Sequence, residues 1–295
     1  WGLSNHYKCN KKENKIIKII IPIFLLTQFI IGMKTPISYY GGKQTMVSVI
    51  LPLIPEHNLY CEPFLGGAAV FFAKEKSQVE VINDKDSRVV NFYQMCKEQF
   101  HLLDYLIQRT PHSRAAHNES DKVLNNPDEY GPVYRAWAFW MQTNMSFASC
   151  IGAGFAYGRK KNSCEKKTAN KKLQFTEEYK TRLDRVQIEC NDAIKVITSR
   201  DSEESFFYCD PPYYNAHMGH YGGYTIEDFE NLLKTLSEIK GKFLLSSYDS
   251  QLLQLFCKKN NWNQIKINKS IAISPTAVKK KTEVLTANYP IKLNK

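Results

Sequence analysis

Short runs rich in β-branched and aromatic residues alternate with helical patterns, and this alternation constrains the chain more than any other feature. The runs lie at residues 58–64, 79–83, 186–190, 205–209, 242–247, 264–271 and 283–289. Helical periodicity fills most of the intervals, at 45–53, 68–76, 88–108, 226–239 and 250–259. Such alternation predicts an α/β fold, a mostly parallel sheet with helices on both faces. The last two runs have no helix between them, only Ser274-Pro275 and the basic residues Lys279, Lys280 and Lys281. They should pair as an antiparallel hairpin at the sheet edge. Between about Tyr93 and Phe175 the alternation stops, and an aromatic-rich helix (132–145) precedes a glycine-bearing basic segment. This reads as an insertion between the second and third strands. The expected divisions are therefore 1–32, 33–92, the insertion at 93–175, and 176–295.

Residues 1–15 are polar and basic, and 16–32 are apolar apart from Lys18, Thr27 and Gln28. Pro22 lies in the apolar stretch, whose unbroken part is too short for a membrane span. The segment imitates a signal peptide. Against export, the eight cysteines show no disulfide-like spacing and suit a reducing, cytoplasmic compartment. The segment is read as leader sequence ahead of a start at Met33, with a membrane anchor as the alternative.

Lys plus Arg total 40 against 29 acids, a net charge of +11, which fits either a polyanionic partner or a solvated basic surface. No C-x-x-C pair occurs, and His217 with His220 suits a loop or a DNA contact better than a metal, so no metal is expected.

The chemistry-bearing residues gather at strand ends. Asp210-Pro211-Pro212-Tyr213 follows the apolar run SFFYC. Neither proline can donate a ladder hydrogen bond and both fix φ, so the chain leaves the sheet rigidly. A carboxylate, a proline carbonyl and a ring then stand at a strand's carboxyl end, where open α/β sheets bind ligands. Two acceptors and a stacking face suit an exocyclic amine on a flat base; a tight turn with a buried Tyr is the plainer alternative. In Glu62-Pro63-Phe64-Leu65-Gly66-Gly67 the glycines permit close backbone approach, but G-x-G-x-x-G is absent. Asp84 ends the next strand, placed to accept from a ribose diol or to cap the following helix. In Tyr39-Tyr40-Gly41-Gly42-Lys43 the lysine can hold a small carboxylate and an aromatic can cover an adenine or a sulfonium.

In this order SYYGGK, EPFLGG, ND and DPPY resemble the successive motifs of Dam-type (D12 class) DNA adenine N6-methyltransferases of the phage and restriction-modification kind. The resemblance covers about Lys34 to Ile291. It implies a Rossmann-like, S-adenosylmethionine-dependent sheet with an antiparallel last strand and an inserted, mainly helical target-recognition subdomain. For the cofactor it implies Tyr39 (Trp in many relatives), Lys43 at the methionine carboxylate, Glu62, Phe64, Gly66, Asp84 at the ribose, Asp192 at the adenine, and Asp210. For catalysis it implies Asp210, Pro211, Pro212 and Tyr213, acting on a base flipped out of the stack. The implied partner is double-stranded DNA, with a companion restriction endonuclease as a further one and no membrane. Arg159, Lys160, Lys161, Lys166, Lys167, Lys171 and Lys172 crowd into fourteen residues and read as phosphate contacts, with Asn144 and Ser146 as base readers. Methylation of cytosine N4 or of RNA adenine, and a DNA-binding relic without catalysis, are the alternatives.

Overall fold

The computed structural model describes residues 32–159, 161, 163–214, 223–274 and 277–292. The leader reading for 1–32 falls, but for Gly32, outside the described residues, as do His217, His220 and Lys160. Among the described residues the strands form one sheet: β1 (Leu59–Glu62), β2 (Val79–Asn83), β3 (Gln187–Glu189), β4 (Ser205–Cys209), β5 (Lys242–Tyr248), β6 (Asn263–Ser274) and β7 (Ala277–Ala287). Their order is β3-β2-β1-β4-β5-β7-β6. The first five run parallel, and β7 is antiparallel to both β5 and β6. The final pair is thus a hairpin as expected, with β7 inside the sheet and β6 outermost.

The central strands are unbroken apolar runs because both of their faces are covered. Successive side chains point to opposite faces, and the core splits accordingly. Tyr60, Ile82, Phe206, Tyr208, Leu244 and Leu285 face one side. Cys61, Val81, Phe207, Cys209, Phe243, Leu245 and Val284 face the other.

The helices are α1 (Val47–Ile50), α2 (Ala69–Ala73), α3 (Ser87–Glu98), α4 (Phe100–Arg109), α5 (Arg114–Asn125), α6 (Pro132–Met145), α7 (Ser163–Gln174), α8 (Glu178–Leu183), α9 (Ala193–Ser199), α10 (Ile226–Glu238) and α11 (Gln251–Asn260). The single helix expected over 88–108 breaks at Gln99, whose φ and ψ of −131° and 34° are not helical. The break lets Phe100, Leu103 and Ile107 turn inward separately from the apolar face of α3. Helices α3 to α8 all lie between β2 and β3 in the chain, and Tyr93 sits fully buried inside α3. Every residue of α6 from Ala136 to Met145 is buried, the polar Gln142, Thr143 and Asn144 included, and the helix shares a core with the sheet. No helix among the described residues is long and apolar enough to cross a membrane.

β1 and β4 are neighbours, yet the chain leaves β1 for α2 on one face and β4 for α10 on the other. Loops diverging from adjacent parallel strands open a crevice at their carboxyl ends. Here it is a cleft of about 1340 Å³.

Candidate active site

The cleft is lined by the turns after β1, β2, β3 and β4, together with residues 39–43 and Glu283 of β7. The turns and Glu283 meet because each follows, or pairs with, a strand ending on the same edge, while residues 39–43 are tied there by Tyr39 against Gly66 and Lys43 on Asp210.

Asp210 stands where β4 stops. Its Oδ1 takes an ion pair from Lys43 Nζ at 2.7 Å and lies 3.3 Å from the Tyr213 hydroxyl. Burial pushes the Asp210 carboxyl above the ordinary range, while the Lys43 ammonium pulls it back. Burial alone would lower the Lys43 pKa, but Asp210 and Glu283 outweigh it and hold it above the usual lysine value. Lys43, expected at a carboxylate of the cofactor, is therefore found on a carboxylate of the chain itself. The reason is burial: a lysine 7% exposed needs a counter-charge, and Asp210 is the nearest one. Pro211 is buried, and both Pro211 and Pro212 line the cleft. The Tyr213 ring packs edge-on against Tyr248 at 4.4 Å, and its hydroxyl turns inward.

The glycine turn is held by β2. Gly66 adopts φ +47°, and a Cβ there would stand 2.9 Å from Tyr39 Cε1. A side chain there would therefore be strained on two counts, and the Tyr39 ring covers the turn. Asp84 Oδ2 accepts the Gly66 N–H at 2.8 Å, and Oδ1 accepts that of Asp86 at 2.9 Å. Burial raises its pKa to about 6. Asp84 thus orients the turn, and the cap of α3 is Asp86, which accepts from Arg88 N. Glu62 is buried to 2% exposure, receives the Tyr60 hydroxyl at 3.0 Å, and has its pKa pushed up to about 8 by burial. Phe64 packs edge-on to Tyr224, and Asp192 caps α9 through Ile194 N and Lys195 N; both line the cleft.

Two expected base readers are corrected. Asn144 and Ser146 are 5% and 4% exposed. Asn144 accepts Ser38 N and donates to Trp140 O, while Ser146 donates to Gln142 and bonds His117. The buried face of α6 runs to its last residue and takes them inside. Lys171 and Lys172 are half-buried and donate to the carbonyls of Thr35 and Ile37 and of Gln108 and Thr110. Arg159, Lys161, Lys166 and Lys167 are exposed.

Several residues escaped the sequence reading. Asn83, 1% exposed, donates to Pro63 O and Asn191 O and accepts Asn191 N, tying three strand-end turns together. A polar residue closing an apolar strand was the available signal. Phe147 is 72% exposed at the head of a turn in which Ala148 and Ser149 both take positive φ, 54° and 59°. Left-handed non-glycine residues persist only where the surroundings enforce them. Here Phe147 N bonds Gly154 O, Ala156 N bonds Met145 O, and Gly152 N bonds Gln142 Oε1. Ser149, Cys150 and Ile151 of the same turn line the cleft, so the exposed Phe147 stands on a hydrogen-bonded turn that borders it.

The arrangement offers an acceptor loop for an amine beside a glycine turn built for close approach. Residues 39–271 match the family model described as D12 class N6 adenine-specific DNA methyltransferase. A type II methyltransferase of Lactococcus lactis subsp. cremoris is 28% identical over 288 residues, 90% of this chain and 99% of that protein. A DNA adenine methylase of Vibrio cholerae is 23% identical over 274 residues, 86% of this chain and 95% of that protein. The DNA N-6-adenine-methyltransferase of Escherichia phage P1 is 29% identical over 175 residues, 59% of this chain and 23% of that protein. With the motifs of that family gathered on one sheet edge and its model matched over most of the length, the chain belongs to the D12 class of N6 adenine-specific DNA methyltransferases.

Proposed function

We propose that this chain binds S-adenosylmethionine in the crevice and moves its methyl group to N6 of an adenine flipped out of duplex DNA. The observation that carries the reading is the Asp210 carboxylate at the cleft, across the β1–β4 switch point from the Gly66 turn. The fit to the cofactor rests on that turn, which lines the cleft with two glycines packed under the Tyr39 ring, an aromatic suited to a flat base or a sulfonium. Gly66, Phe64, Glu62 and Asp192 would hold it, with Tyr39 beside them and Asp84 acting through the turn. When bound, S-adenosylmethionine supplies an electrophilic methyl on a sulfonium.

The chain's own task is to make a poor nucleophile competent. The adenine N6 lone pair is delocalised into the ring. Hydrogen bonds from N6–H to the Asp210 carboxylate and the Pro211 carbonyl localise it, and Asp210 takes the proton that the methylated nitrogen sheds. Lys43 helps keep Asp210 ionised for both steps. Held geometry supplies much of the rest.

A stacked adenine cannot reach the cleft, so the base must leave the duplex. Phe147 is suited to fill the gap, and Tyr213 to cover the extruded base, where stacking is worth about 1–3 kcal/mol. Arg159, Lys161, Lys166 and Lys167 suit the flanking phosphates. Protection of a site from a companion restriction endonuclease belongs to the same reading, supported by the type II relative.

The test is transfer of labelled methyl from S-adenosylmethionine to duplex DNA, followed by base analysis. N6-methyladenine should appear, and Asp210→Ala should abolish it while calorimetry shows the cofactor still binding. N4-methylcytosine, labelled RNA in place of DNA, or no label at all would each replace this reading by an alternative.

A further inference from the structure

Glu283 is buried at 6% exposure on β7, and the reaction described above gives it no role. Because β7 runs antiparallel, its residue paired with Tyr248 reaches the carboxyl edge of the parallel strands. Glu283 thereby joins the cleft lining. Its Oε1 accepts from the Tyr213 hydroxyl at 3.0 Å and from Ser246 Oγ at 2.9 Å, and lies 3.6 Å from Lys43 Nζ.

The Tyr213 hydroxyl has one proton and three oxygens within reach: Glu283 at 3.0 Å, Ser246 at 3.1 Å and Asp210 at 3.3 Å. Ser246 already donates to Glu283, so two hydroxyls converge on one carboxylate. Were Glu283 absent, the nearest charged acceptor left for Tyr213 would be Asp210. That oxygen would then be bound by both Tyr213 and Lys43, at the expense of the incoming amine.

We infer that Glu283 is the positioning residue of the DPPY loop, drawing the Tyr213 proton and part of the Lys43 charge away from Asp210 so that Asp210 keeps acceptor capacity for the amine. The inference rests on the assignment of Asp210 as the acceptor. Among the described residues, the titratable groups facing this cluster are Tyr40 and Lys43 from the first loop, Glu62 from β1, Tyr208 from β4, Asp210 and Tyr213 from the loop after it, and Tyr248 from β5. Among them Glu283 raises the Asp210 pKa and Lys43 lowers it.

The experiment compares Glu283→Gln, Glu283→Ala, Tyr213→Phe, the double variant Glu283→Ala/Tyr213→Phe, and Asp210→Ala, each checked for folding by circular dichroism. Glu283→Ala should lower kcat roughly 10- to 100-fold, the span of a charge-assisted hydrogen bond, with little change in KM for S-adenosylmethionine. Glu283→Gln keeps an acceptor for Tyr213 but not the charge. It should recover much of the loss in kcat and move the acidic limb of the kcat profile to lower pH. In the Glu283→Ala background, Tyr213→Phe should cost nothing further, because the competing proton is gone. Unchanged kcat and pH limb in both Glu283 variants, whether or not thermal stability falls, overturns the inference if Asp210→Ala is inactive. Additive losses in the double variant also overturn it. An active Asp210→Ala refutes instead the reading on which it rests.

Discussion

Replacing Lys43 by Met removes the cation from Asp210 while keeping an unbranched apolar stem one atom shorter. The Lys43 and Asp210 side chains are 8% and 18% exposed, and their charged atoms are 2.7 Å apart. Cutting a buried pair costs about 3–5 kcal/mol, mostly from the charge left stranded. Asp210 still opens to the cleft, where water recovers part of this, so the loss belongs at the lower end, about 3 kcal/mol. A protein can relieve that cost by keeping Asp210 protonated, and at 1.36 kcal/mol per unit the Asp210 pKa should rise by roughly two units. The kcat profile for methyl transfer, measured in single turnovers across the acidic and neutral range, should have its acidic limb moved upward by about that amount. Stability should follow with a defined sign. The variant's folded Asp210 titrates above its unfolded value, so the folded state binds more protons in that window and stability falls as pH rises through it. The deficit against the parent should therefore grow as pH rises through the titration of Asp210, towards about 3 kcal/mol on the alkaline side. A folded variant whose acidic limb stays in place, or moves down, would refute the claim that Lys43 sets the charge of Asp210.

Three further outcomes are expected. Phe147→Ala should slow methylation by an amount matching about 1–3 kcal/mol of missing stacking, and a fluorescent base analogue at the target should report less extrusion; equal signals in parent and variant would remove the wedge role. Replacing Arg159, Lys161, Lys166 and Lys167 by Gln should flatten the plot of log K against log salt by about 0.9 for each phosphate no longer neutralised, on specific and non-specific duplexes alike, and an unchanged slope would return these residues to a solvated surface. Glu62, with a pKa pushed up to about 8 by burial, binds a proton in the folded state that the unfolded state has already released, so it makes stability fall from about pH 4.5 to about pH 8. Chemical denaturation of Glu62→Gln should show that slope relieved by up to about 1.4 kcal/mol per pH unit, and a parallel pair of curves would mean that Glu62 ionises freely.

The strands of the sheet were legible because their physics is local. A run such as SFFYC, buried at every position, has to lie between two covered faces, and the two prolines after Asp210 have to end it. The family likeness was legible for the same reason, since each motif is a contiguous turn at a strand end. The split at Gln99 was hidden because the apolar spacing on either side still satisfies helical periodicity, and only packing on the core decides that two helices are needed. The inward turn of Asn144 and Ser146 was hidden too. Burial of the whole of α6 is set by neighbours on every side, and the polar residues at its end find partners at His117, Gln142 and Ser38 that sequence spacing does not reveal. Glu283 shows the limit most sharply. Beside Lys279, Lys280 and Lys281 it reads as one more surface charge. Its place at Asp210 and Tyr213 depends on the insertion of β7 between β5 and β6, running antiparallel with Glu283 opposite Tyr248. Strand periodicity sets which residues share a face, and so the chain alone determined the class of fold and the candidate acceptor. Which distant charges share that edge is a matter of strand order and register, so the tertiary structure alone decided the partners that set the acceptor's charge.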